Sequence, residues 1–147
     1  ILAIARGVSA TTTEAAHAAT EAIDAARNLP AFAQLLESMG STLADANALA
    51  VGEMACREAL AAYERTGNRS GMAGALHRLG SIAARQRDYR RAAMLLGAAH
   101  QVYVEIESVK SLAVRAEMEE IRTLLGSGAP AYAGIDGAVD LALGRGR

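Results

Sequence analysis

Apolar side chains recur along this chain at intervals of three and four residues. Leu76, Leu79, Ile82 and Ala83 form one such run, and after a break Ala92, Leu95, Leu96, Ala99 and Tyr103 form another. That spacing draws a single stripe along a helix of about 3.6 residues per turn. Sustained period-two alternation bounded by hairpin turn pairs is missing, so strands are not expected. The pattern predicts helices over about Thr12–Arg27, Pro30–Leu43, Asn47–Arg65, Arg69–Arg85, Asp88–Ile106 and Ser108–Leu125. A loop at Gly126–Pro130 follows, then a short helix over about Gly137–Leu143. Asp88 stands where an N-cap oxygen would accept backbone N–H groups, and Asp45 and Asn47 offer the same one unit earlier. Pro30 suits a first helical turn and Gly67 a left-handed C-terminal cap.

A shift of forty places aligns Leu36 with Leu76, Met39 with Leu79, Gly40 with Gly80, Ser41 with Ser81, Ala59 with Ala99 and Tyr63 with Tyr103. One register explains them all, so the chain reads as a low-fidelity repeat of two helices per unit. No low-complexity linker interrupts it. A single domain over residues 1–147 is expected, with helix pairs over about 12–125 and a loop plus short helix over 126–147. Because Ile1 falls in what reads as a helix already under way, the sequence is expected to be a piece of something longer.

Composition supports helices. The chain has 147 residues, 52% hydrophobic but only 3% aromatic, so its apolar mass is small and aliphatic. Such side chains suit close-packed helices better than a β-sandwich. A formal net charge of −1 supplies no global field toward nucleic acid or anionic membrane. Cys56 is the single cysteine, which excludes an intramolecular disulfide and points to a reducing, cytoplasmic setting. No apolar run approaches the ~20 residues a membrane span needs.

Candidate chemistry is sparse. His17, His77 and His100 sit on different predicted helices without metal-ligand spacing. Cys56 occupies a repeat position normally apolar, which reads as a buried, inert thiol. Glu117, Glu119 and Glu120 crowd one helix but point in different directions and read as a solvated face. Gly126-Ser127-Gly128 follows a helix and is not succeeded by Gly-Lys-Ser/Thr, so it is no phosphate loop. No catalytic, cofactor-binding or metal-binding group is therefore expected; the enzyme alternative would use His77 and His100. Arg78, Arg87, Arg90 and Arg91, with Arg85 nearby, suggest a basic rim. With acids nearby to pair with and no aromatic stacking platforms, that rim reads first as a solvated face, and otherwise as a contact for an acidic protein segment rather than nucleic acid.

Leu76, Leu79 and Gly80, followed by Ala92, Leu96 and Ala99, resemble the helix pair of a tetratricopeptide repeat. Leu36, Met39 and Gly40, followed by Gly52, Cys56 and Ala59, repeat the likeness. The stretch from Gly80-Ser81-Ile82-Ala83-Ala84 to Asp88-Tyr89-Arg90-Arg91-Ala92-Ala93-Met94-Leu95-Leu96-Gly97 resembles the C-terminal helical repeats of large bacterial signal-transduction ATPases, LuxR-type regulators among them. The ending Gly137-Ala138-Val139-Asp140-Leu141-Ala142-Leu143 is similar to the close of those chains. The resemblance implies an all-α fold of antiparallel helix pairs stacked as a right-handed superhelix. It also implies a non-catalytic interaction or sensor arm of a multi-domain transcriptional regulator. By the same resemblance the concave face would carry Glu37, Ser41 and Asp45 from one unit and His77, Ser81 and Arg85 from the next. Its partner would be a protein, a peptide or another domain of the parent chain, with self-association as the alternative.

Overall fold

Alanine and leucine give up little rotamer freedom in a helix, and the Ala-rich stripes leave room for helices to approach one another. The computed structural model describes residues 29–128, 130 and 134–145, together with Glu14, His17, Ala18, Glu21 and Ala25. It is all-helical among the described residues. Helix α1 spans Pro30–Asp45, α2 Leu49–Thr66, α3 Arg69–Arg85, α4 Tyr89–Glu105 and α5 Lys110–Leu125. A 3-10 turn, Gly126–Gly128, and α6, Gly134–Leu143, complete the order. Most of the predicted Thr12–Arg27 helix lies outside the described residues; the five described positions within it are helical and exposed.

Each helix from α1 to α4 packs on its successor in the chain, and among the first helices of the units α3 also meets α1 on one side and α5 on the other. Helix α6 turns back onto α2, α3 and α4. Two glycines set how closely the paired helices approach. A Cβ on Gly40 would stand 2.9 Å from the Gly52 carbonyl oxygen and collide with the Cys56 sulfur; one on Gly80 would stand 2.7 Å from Leu96 Cγ. Leu60, Leu76, Leu79, Leu95, Leu96 and Tyr103 are almost fully buried. Burying a leucine contributes roughly 1.5–3 kcal/mol.

The turns divide each unit into halves. Asn47, Gly67, Arg87 and Glu107, twenty residues apart, all take positive φ, at 65°, 65°, 64° and 52°. At each, that residue's N–H donates to the carbonyl three back, and the next N–H donates to the carbonyl five residues before it. This double bond pattern closes a helix with one left-handed residue. Three of the four are not glycine, so tertiary packing holds a conformation that L side chains rarely adopt.

Helix boundaries depart from expectation where these turns fall. Helix α1 runs through Asp45, and Asn47 takes the left-handed place, so neither caps α2. The N-cap of α2 is Ala48, which has no side-chain oxygen to offer. Asp88 does cap α4, its Oδ1 accepting from the Arg91 N–H at 3.2 Å, and Asn68 does the same for α3. The last helix begins at Gly134 rather than Gly137, placing Asp136 inside its first turn.

Between α4 and α5 the turn covers residues 106–109, two more than the 67–68 turn between α2 and α3. Those two residues shift the phase of α5. Its inward positions Val114, Glu117, Met118, Ile121 and Leu125 lie forty-two places after Met72, Ala75, Leu76, Leu79 and Ala83. Glu117 thereby stands where α3 carries Ala75, which brings a carboxylate to an inward position.

Candidate partner-binding groove

Helices α1, α3 and α5 line one side of the molecule with polar groups. Along it run three adjoining clefts, all lined by Arg78. The first, about 290 Å³, lies over α1 with Gln34, Glu37, Ser38 and Ser41. The second, about 70 Å³, lies between α1 and α3 with Ser41, Asp45, Ser81 and Arg85. The third, about 150 Å³, holds Glu37, Gly74, His77, Tyr103, Lys110 and Ala113. All six residues named for the concave face, Glu37, Ser41, Asp45, His77, Ser81 and Arg85, thus come from one contiguous side. All six line these clefts directly, and Ser81 also reaches across to α5.

A carboxylate braces α3 to α5. His77 Nε2 stands 2.7 Å from Glu117 Oε1, and the Ser81 hydroxyl donates to Glu117 Oε2 at 2.6 Å. Tyr103 meets the His77 ring edge-on, with centroids 6.4 Å apart at 86°. Burial pushes the Glu117 carboxyl upward, but hydrogen bonds from His77 and Ser81 and the charges of His77 and Arg78 outweigh it. The group ends below the usual carboxylate range. The histidine ring and the serine hydroxyl both bond the carboxylate, and the hydroxyl also lies 3.1 Å from the His77 carbonyl on its own helix. The trio is built as a brace.

On the other side, Glu37 Oε2 accepts from the Tyr63 hydroxyl at 3.0 Å. Gly74 makes room for this, since a Cβ there would stand 2.8 Å from Glu37 Oε1. Burial, with the Glu37 charge added, pushes the Tyr63 hydroxyl far up, and Tyr103 follows for the same causes. Arg85 donates to the Ala44 carbonyl near the end of α1, a second bond to an acceptor that already takes the Asn47 N–H.

The four arginines expected as a basic rim part company. Arg78 is exposed in the groove, Arg87 holds the left-handed turn, and Arg90 is exposed on the first turn of α4. Arg91 faces inward, 2.8 Å from Glu53, with both side chains less than a quarter exposed. Burial raises the Glu53 carboxyl, but hydrogen bonds from Gln86 and Arg91 and the charges of Arg91 and Arg57 bring it below its ordinary value. A pair of this kind ties α2 to α4 and leaves no single cationic patch, because the phase of α4 points Arg90 and Arg91 apart.

Sequence reasoning missed Lys110, Glu117, Tyr63 and Tyr103 as groove or support residues. The two tyrosines had announced themselves by falling in phase; the acid and the lysine depend on the two-residue shift before α5. His77 and His100 are not brought together: His100 lines a separate cleft of about 310 Å³ with Met94, Gly97, Met118 and Arg122. Cys56 is fully buried, and burial, with the Glu37 charge, pushes its thiol up to about 11. Among the described residues, no three His, Cys, Asp or Glu side chains gather to hold a metal ion. No helix among them is long and apolar enough to cross a membrane. Compared with family models, curated proteins and solved structures, the chain matches none of them.

Proposed function

We propose that this chain is a tetratricopeptide-like interaction module, its helix pairs stacked as a right-handed superhelix whose concave side captures a peptide or a neighbouring domain. Its setting would be the cytoplasmic C-terminal region of a multi-domain bacterial transcriptional regulator, and its role non-catalytic. The observation that carries the reading is the line of polar groups from α1, α3 and α5 around Arg78. Rigid stacked helices presenting such a surface suit an extended or helical segment, whose binding would shift the parent between states. The repeated turns, with a left-handed residue every twenty positions, support regular stacking.

A selection from random-sequence peptides tests it. Enriched peptides are expected to bind the chain and to lose at least about tenfold in affinity when Ser41→Trp and Ala113→Trp fill the groove, with thermal unfolding unchanged. Peptides that bind the filled variant equally well would remove the groove from the function.

A second reading, self-association, is favoured by the exposed Leu35, Met39, Val51 and Met54 on α1 and α2. Light scattering of the eluted chain distinguishes it: a dimer that dissociates on Leu35→Gln with Met39→Gln belongs to that reading.

A further inference from the structure

Charge in the groove is unevenly spent. Glu117 has both oxygens engaged, by His77 and Ser81, and Glu37 gives one oxygen to Tyr63 while lying over Gly74. Arg85 is held by the Ala44 carbonyl. Arg78, by contrast, makes no hydrogen bond or ion pair among the described residues, although it lines all three clefts. Lys110 shares the third cleft with it, its Nζ 5.9 Å from the centre of the Tyr103 ring. Ser41 adds a hydroxyl that lines the other two.

At the middle of the groove, then, donors outnumber free acceptors. A guanidinium presents five N–H donors in a planar fork that matches the two oxygens of a carboxylate. We propose that Arg78 reads the partner's charge: it takes a side-chain carboxylate from an acidic peptide laid across α1 and α3, with Ser41 and Lys110 as flanking donors. Asp45, exposed at the end of α1, repels a second carboxylate there and so fixes where the first one lies. The proposal rests on the groove reading above and names its ligand class.

Acetylated, amidated hexaglutamate, hexaglutamine and hexalysine carry no chain-end charge, so only side chains differ among them. Titrated at low ionic strength into the isotope-labelled chain, hexaglutamate is expected to move the backbone amides of Ser41, Gly74 and Arg78. Arg78→Gln is expected to weaken it about tenfold, the scale of one lost charge-assisted hydrogen bond, and Arg78→Lys to restore part of that. Arg87→Gln with Arg90→Gln is expected to change it less than about twofold. Equal binding by Arg78→Gln, or hexaglutamate shifts confined to Arg87 and Arg90, overturns the proposal. So does preference for hexalysine or hexaglutamine at the groove amides, which leaves the groove reading standing. Groove amides that no peptide moves would overturn both.

Discussion

The face that α1 carries as Phe32, Leu35, Leu36, Met39 and Leu43 is carried forty residues later, on α3, by Met72, Ala75, Leu76, Leu79 and Ala83. In α3 every one of these is buried, because α2 packs on that helix, with Tyr63 against Gly71 beside the stripe. In α1, Leu35 is 56% and Met39 47% exposed. Equivalent patterns thus have different energetic value. A hydrophobic stripe records that a face suits a neighbour, and the stabilisation arrives only with the neighbour.

The largest expected effect tests that difference directly. Leu79→Ala should cost about 2–5 kcal/mol in urea unfolding, whereas Met39→Ala at the corresponding place should cost less than about 0.5 kcal/mol. Equal costs would mean that α1 is covered in solution, and the contrast between the pairs would disappear.

Next comes the glycine contact within each pair. Gly40→Ala and Gly80→Ala should each destabilise by about 1–3 kcal/mol through overpacking. Gly40 should be the costlier, since its added methyl meets the Gly52 backbone, while at Gly80 it meets mainly the side chain of Leu96. In a Leu96→Ala background the Gly80→Ala penalty should shrink, as a double-mutant cycle would reveal. No rescue would show that the backbones, rather than Leu96, set the spacing of α3 and α4.

The smallest effect concerns the caps. Asp88→Ala should lose about 1 kcal/mol of stability, and Ala48→Asp should gain a similar amount at the corresponding start of α2. Both are measurable by thermal unfolding, and a neutral Ala48→Asp would show that the Ala48 geometry cannot seat a cap.

Much of this was legible in the residues. Three-and-four spacing located the helices from Pro30 to Leu125 because burial of a stripe follows periodicity closely, and the Asp88 and Gly67 signals worked because those residue types favour the cap and the left-handed turn found there. The turns at Asn47, Arg87 and Glu107 were hidden, since nothing in an arginine or a glutamate advertises a left-handed conformation that packing imposes. Arg91 looked like rim and turned inward, because pairing with Glu53 depends on how α2 sits beside α4. Within the groove, Glu37, Ser41, His77 and Ser81 were readable from the repeat. Glu117 and Lys110 were not, since a forty-residue register mispositions everything after the longer 106–109 turn.

The equal spacing of the turns carries a practical consequence. Residues 48–87 begin just after one left-handed residue and end on the next equivalent one, so the segment is a cassette with matching ends. Duplicating it in tandem joins Arg87 to Ala48 in the place Asn47 occupies now, and each added copy inserts one helix pair without new connecting loops.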